Sequence, residues 1–494
     1  MNKCITIILL SLQLFPMQAF PQREDLTDGL EIGIEAQASL SDGKTPLWLN
    51  ANKYGLSSLE ESNGYLRLSA IRPAEADKER KWKWGYGVDV AVAANYTSTI
   101  VVQQAYGEML WQKLRLTLGA KQQPSVMKDM ELSSGALTIG WNARPIPQAR
   151  LDVDWFSIPF TNNWWQWQFY GSYGMTTDGN WQKRTAPTDE HYTSNVLYHE
   201  KALYWKFGKA EHPKVPLTFE IGIQFATQFG GTTYNFSGRM YDKSTDIKHS
   251  QNLSAFIKAL TFGGSDENDG SSKNTAGNHI GSYNMRLTWH GNGWKAAARF
   301  ERMFEDQSML TVQYGIYDHL LGADIELPEN RWLSKITVEH LNTRDQSGAI
   351  LHDEAKNIPD KMNGRDNYYN HSMYAGYQHW GQTQGNPLLT SPIYNASGSL
   401  AFYNNRVKAW HAGLTGDPAD WIHWRALVTF TRNWGTYDHP LDDPQDQNYM
   451  LLEANVHHPA MRGWNPTLAI GVDHGKLTGN NFGAQITIRK TFGL

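Results

Sequence analysis

The sequence predicts an all-β fold: a transmembrane antiparallel β-barrel of about 18 strands. Three observations point to it. Long segments alternate greasy and wet residues, the chain ends in such a segment, and the connections between segments alternate long and short. In the first strand Leu30, Ile32, Ile34, Ala36, Ala38 and Leu40 interleave with Glu31, Gly33, Glu35, Gln37 and Ser39, the period of two that gives a strand one apolar face. The pattern returns at Trp84 to Tyr96, opposite Gly85, Gly87, Asp89, Ala91, Ala93 and Asn95, and again at Leu217 to Phe229. Both strands have the aromatic ends, aliphatic middle and small or polar second face of a membrane-crossing strand. Shorter versions stand at Leu114 to Ala120, Tyr283 to Trp289, Trp294 to Phe300, Ile422 to Phe430 and Leu468 to His474. In the last strand Phe482, Ala484, Ile486, Ile488, Phe492 and Leu494 share one face, which Lys490 interrupts as a residue near a membrane interface does by snorkelling.

Counting back from the C terminus places 436–448, 342–367 and the stretch before Ser282 on the side of the long loops. Gly291-Asn292-Gly293, Pro328 to Arg331 and Gly416 to Asp420 fall on the side of the short turns. The count takes Gly398 to Tyr403 as a strand. Helical spacing is nearly absent; Leu253, Phe256, Ile257 and Leu260 form one apolar helix face, a candidate for blocking the lumen.

Composition removes other classes. Aromatics reach 12% of 494 residues, with 20 Trp and 23 Tyr, against 19% charged residues, a profile that excludes a disordered chain. A net charge of −4 without a dense basic run gives nucleic acid nothing to bind. The only long apolar stretch is at the start and mean hydropathy is −0.54, so no later helix of about 20 apolar residues spans a bilayer. Met1 to Lys3, Ile5 to Leu14 and Met17-Gln18-Ala19 have the three regions of a secretory signal, so 1–19 is expected to be removed, and with it Cys4. Residues 20–494 then form one thiol-free barrel domain, a monomer among outer-membrane lipids.

Chemistry-bearing motifs are sparse. Asp266 to Gly270 offers oxygen ligands without the rest of a calcium loop, and the histidines, His457-His458 included, show no zinc spacing. No catalytic residue, cofactor or metal is expected. In the run from Phe160 to Tyr170, Trp165, Trp167 and Phe169 share one face, as an aromatic girdle does. Trp164 and Tyr170 fall on the other face, where flat rings beside Asn and Gln could cover a sugar.

Ala105 to Glu108, Leu118 to Lys121, Leu132 to Gly135 and Asn142-Ala143-Arg144-Pro145-Ile146-Pro147 resemble the first half of the capsule-assembly Wzi family of Gram-negative outer membranes. Tyr368-Tyr369-Asn370-His371 through Trp380, then Gly385 to Leu389, resemble its second half. The resemblance implies an eighteen-stranded, occluded barrel acting as a lectin for capsular or other surface polysaccharide. It marks Asn142, Arg144, Pro145, Asn386 and Pro387 as matching positions and Trp380 as a further candidate beside Trp164 and Tyr170 of the aromatic run, with Arg144 as a partner for acidic sugars or a lumen carboxylate. Some family members carry a helical segment ahead of the barrel; here little beyond Phe20 to Gly29 precedes the first strand. An open channel for small solutes and an exported carbohydrate-active enzyme are the alternatives.

Overall fold

The computed structural model describes residues 27–493 apart from 79, 238–244, 262–276, 306–316 and 351–362. The signal segment with Cys4, the acidic run at Asp266 and the terminal Leu494 lie outside the described residues. Eighteen strands make the main sheet. They are β1 (Glu31–Asp42), β2 (Ser62–Arg72), β3 (Trp82–Ala94), β4 (Ile100–Trp111), β5 (Leu114–Ala120), β6 (Gln148–Ser157), β7 (Trp165–Met175), β8 (Leu197–Lys209) and β9 (Leu217–Phe229). The second half holds β10 (Asn278–His290), β11 (Lys295–Glu305), β12 (His319–Glu326), β13 (Lys335–Asn342), β14 (Val407–Ala419), β15 (Ile422–Gly435), β16 (Pro440–Val456), β17 (Trp464–Gly475) and β18 (Asn481–Gly493).

Each strand pairs antiparallel with its neighbour, and β1 closes on β18 in the register Ile34↔Lys490 and Leu40↔Ala484. Closure leaves no free edge, which is how a sheet survives in hydrocarbon, where no water replaces a missing ladder bond. The apolar set faces out: Leu66, Leu68, Val88, Val92, Leu452, Leu468 and Ile486 are exposed large hydrophobics. The alternate set, Asp89, Thr117, Glu220, Glu339, Thr429 and Asp473, is buried inside. The barrel is therefore transmembrane, with its short turns toward the periplasm and its long excursions outside. Trp82, Trp111, Trp167, Trp205, Trp289 and Trp464 stand near the short-turn ends, where amphipathic rings meet lipid headgroups. Trp82 stacks on Trp111 at 5.5 Å, and Trp167 meets Trp205 edge-on at 6.1 Å.

Three excursions fold back into the barrel: 43–61, 121–147 and 366–405. Their apolar residues, among them Trp48, Leu132, Leu137, Tyr369, Leu388 and Phe402, form one core with inward-facing Ala409, Leu427 and Leu451 of the wall. The lumen is filled as a protein interior, and a one-turn helix, α1 (Leu47–Asn50), belongs to the filling. Three expectations are corrected here. Gly398 to Tyr403 is irregular chain within the plug, so among the described residues no barrel strand lies between β13 and β14; both counts are even, and the sidedness is unaffected. The loop expected at 436–448 is a tight turn, because Pro440 onward continues the ladder against β15. The Leu253 helix forms, as α3 (Leu253–Thr261) after α2 (Trp181–Thr185), but it packs on the outward-facing Tyr173, Lys201 and Phe229 and blocks nothing.

Candidate functional site

At the outer side of the plug, Gln378-His379 and Gln382-Thr383 pair as a two-residue hairpin whose turn is Trp380-Gly381. Both turn residues have positive φ, 57° and 80°, as this tight turn requires. Glycine meets that demand freely, whereas a tryptophan there is strained by roughly 1–3 kcal/mol. The ring is held against a cation: the Arg144 guanidinium lies 4.1 Å from its centroid. Arg144 reaches this place because Gly55 (φ 66°) lets the neighbouring excursion pass where a Cβ would come within 2.7 Å of the Arg144 nitrogen.

Arg144 is 5% exposed, yet among the described residues no carboxylate pairs with it. It donates to the hydroxyls of Ser98 at 2.9 Å and Thr97 at 2.6 Å, in the outer turn between β3 and β4, and its Nε meets no acceptor among the described residues. Burial pushes its pKa down to about 10, so at neutral pH it remains a cation without a counter-charge. His379 fixes the pair from behind. Its Nδ1 lies 2.9 Å from the Arg144 carbonyl oxygen, and its Nε2 lies 2.7 Å from the Thr177 carbonyl oxygen and 3.2 Å from the Thr177 nitrogen; burial holds its pKa below the usual value.

The other sequence candidates separate by role. Asn142 and Asn386 are buried latches between excursions: Asn142 accepts from Asn52 N–H at 2.9 Å and donates to the Thr383 carbonyl at 3.2 Å, while the Asn386 amide donates to Ser134 Oγ at 3.4 Å. Pro387 packs against Gly135 in the same latch. Pro145, Tyr170 and Arg144 line an internal cavity of about 90 Å³, room for a few waters. Tyr170 is covered by Arg150, whose guanidinium lies 3.7 Å from its ring centroid. Trp164 is not in the lumen. It stands 51% exposed in the short turn before β7, because its neighbours Phe160, Asn162 and Asn163 take positive φ and reverse the chain there.

A second aromatic and basic group lies on the outer rim, unmarked in the sequence reading. Arg406 stacks on Tyr437 at 3.8 Å and Arg344 on Trp434 at 4.8 Å, while the Arg406 Nε donates to the Arg344 carbonyl at 3.1 Å. Tyr403 meets His439 edge-on at 5.3 Å beside them. Neither arginine forms an ion pair among the described residues. The signal was present in Trp434-Gly435-Thr436-Tyr437-Asp438-His439, but its partners lie about 30 and 90 residues upstream, a distance no local pattern reveals.

The inner mouth differs. A cavity of about 650 Å³ there contains Lys206, Arg286, Lys295, Glu220 and Glu326. Ion pairs join these charges: Lys206 and Arg286 share Glu220 at 3.0 and 2.5 Å, and Lys295 pairs with Glu326 at 2.9 Å.

No family model matches the chain, and no curated protein matches it. Solved structures do. Wzi of Escherichia coli, described as an outer-membrane protein involved in group 1 capsule assembly and a carbohydrate-binding β-barrel, aligns with a TM-score of 0.57 at 14% identity, covering 94% of this chain and 85% of Wzi. OccK10 (OpdN) of Pseudomonas aeruginosa aligns at 0.45 and 10% identity, over 95% and 99% of the two chains. A loop-deletion form of OmpT, an outer-membrane protein of Vibrio cholerae, aligns at 0.37 and 8%, over 94% and 98%. The chain is an outer-membrane β-barrel. At these identities the likeness is one of fold, and the ligand has to be argued from the side chains.

Proposed function

We propose that this barrel is a lectin-like member of the Wzi family that holds capsular or other extracellular polysaccharide at the cell surface and catalyses nothing. The observation that carries the reading is the set of arginines on the outer side, Arg144, Arg344 and Arg406, each stacked on an aromatic ring and none paired with a carboxylate among the described residues. An aromatic face covers the apolar C–H side of a pyranose, and a stacked guanidinium is pre-ordered to take a uronate carboxylate through two parallel N–H bonds. The likeness to the E. coli carbohydrate-binding barrel supports the same ligand class. The filled lumen disfavours passage of solutes, since Tyr369, Leu388 and Phe402 occupy the space a channel would leave to water.

The test is a strain lacking the protein, assayed for polymer retained on cells against polymer shed into the medium. Loss of retention with undiminished total polymer is expected. Equal retention with and without the protein refutes the reading, and depolymerisation of purified capsule by the protein would replace it with an enzymatic one.

A further inference from the structure

Helix α3 is capped at its start by Asn252, whose side-chain oxygen accepts from the Ala255 N–H at 2.9 Å. It lies on the outside of the wall, near the outer ends of β7, β8 and β9. The Phe256 ring sits 5.2 Å from both Tyr173 and Phe229, and the Tyr173 hydroxyl donates to the Phe256 carbonyl at 2.9 Å. Lys201 occupies the lipid-facing row of β8, opposite Gly171 and Phe225. Its ammonium donates to the helix-terminal carbonyls of Ala259, at 3.4 Å, and Leu260. A cation that would otherwise point into hydrocarbon is thereby held by the negative end of a helix.

With Phe256 and Ala259 turned to the wall, Leu253, Ile257 and Leu260 remain 77%, 52% and 47% exposed. At about 100° per residue these three share one stripe roughly 60° wide, and Ser254, Lys258 and Thr261 share another centred about 100° from it and turned away from the wall. The apolar stripe adjoins the Phe256 edge that packs on Phe229, so it continues the barrel's lipid-facing surface rather than forming an isolated patch.

We propose that α3 is a membrane-interface helix whose Leu253, Ile257 and Leu260 insert into the acyl chains of the outer leaflet and fasten the excursion between β9 and β10 to the membrane surface. The helix has the two faces such an element needs, and the wall contacts fix its rotation so that the greasy stripe is presented while the chain is in its bilayer. The role is independent of any polysaccharide.

The full-length chain, with its single cysteine Cys4 replaced by serine, is given one new cysteine at a time by Leu253→Cys, Ile257→Cys or Ser254→Cys. Each variant is labelled with bimane and reconstituted in phosphatidylethanolamine and phosphatidylglycerol vesicles, its fold checked by altered gel mobility before boiling. Labels at 253 and 257 are expected to emit blue-shifted light and to be quenched by brominated acyl chains but little by aqueous iodide; the label at 254 is expected to show the reverse. Iodide quenching at 257 equal to that at 254 overturns the proposal. A label at 257 that escapes both quenchers also overturns it, since protein, such as a second copy of the chain, then covers the stripe.

Discussion

Two buried carboxylates of the wall hold the plug, and removing them should unseat it while leaving the barrel closed. Glu339 on β13 accepts from the Ser133 hydroxyl at 2.6 Å, the Ser134 N–H at 2.8 Å and the Ser134 hydroxyl at 2.6 Å, and pairs with Arg299 at 3.0 Å. Glu301 on β11 accepts from the Leu137 N–H at 3.0 Å and pairs with Lys128 of the plug at 2.8 Å. Glu339→Ala removes three charge-assisted bonds to the plug, gross contributions of about 1.5–3 kcal/mol each. The freed serines regain part of this from water, and Arg299 keeps Asp324 at 2.8 Å, so the net loss is about 3–5 kcal/mol, as for one member of a buried pair. At 1.4 kcal/mol per tenfold, a loss near 4 kcal/mol raises the detached population of the plug about a thousandfold. The strand ladders contain neither side chain and stay intact.

Planar-bilayer conductance measures this directly. The unaltered chain is expected to pass no steady large current, Glu339→Ala to show intermittent openings, and Glu339→Ala with Glu301→Ala to show longer ones. Steady current through the unaltered chain refutes the closed lumen. A double variant as silent as the parent, with its heat-dependent gel shift retained, refutes anchoring by these carboxylates.

Replacing Arg344 and Arg406 by glutamine removes two charge-assisted contacts of about 2 kcal/mol each, so affinity for an acidic polysaccharide should fall by at least tenfold in glycan pull-down, with the fold unchanged. Lysine at both positions keeps the charge and should restore only part of the binding, because an ammonium lacks the planar fork. Trp380→Asn suits the turn's positive φ better than tryptophan does, so the barrel should be at least as heat-resistant while losing the Arg144 platform; equal binding by this variant would falsify the platform's role. His379 has its folded pKa lowered by burial, so its contribution is fully present above its unfolded pKa of about 6.5 and declines as pH falls toward the folded value. Hydrogen exchange at the Gln378 to Thr383 hairpin, corrected for intrinsic rates, should quicken between pH 7.5 and 5, and unchanged protection would exclude His379 as the cause.

The barrel was readable because the wall is repetitive. A membrane strand must put apolar side chains out and small or polar ones in, so the period of two survives at Trp84 to Tyr96 and Leu217 to Phe229 with little interference from tertiary contacts. The plug has no such rule. Asn142, Asn386 and Tyr369 are as buried as any wall residue, but their partners lie as far as about 250 positions away, so the segment reads as loop, and Gly398 to Tyr403 passes for a strand because its apolar residues are buried among other excursions. Periodicity found α3 but not its side of the wall, which Tyr173 and Lys201 decide. Trp164 shows the limit of alternation at a strand end, where one positive-φ turn moves a side chain out of the row it seems to continue. Of the eight site candidates, only Arg144 and Trp380 meet as a solvent-side pair.

On the proposed reading that pair is a binding site rather than a structural clasp. A clasp in a protein interior lowers energy by matching charges, as Arg150 does with Glu200 and Lys128 with Glu301 in the same barrel. At Arg144 the chain instead keeps a desolvated cation on two neutral hydroxyls and a ring on a strained turn, both of which cost stability in the unliganded protein. A carboxylate arriving from outside would supply the missing countercharge without reorganising the site. Arg144→Met, which keeps an apolar stem under Trp380 and removes the charge, should then raise the melting temperature of the free protein and abolish the further rise that an acidic glycan gives the parent. A variant that melts lower than the parent, or that still gains from the glycan, would show the cation to be structural.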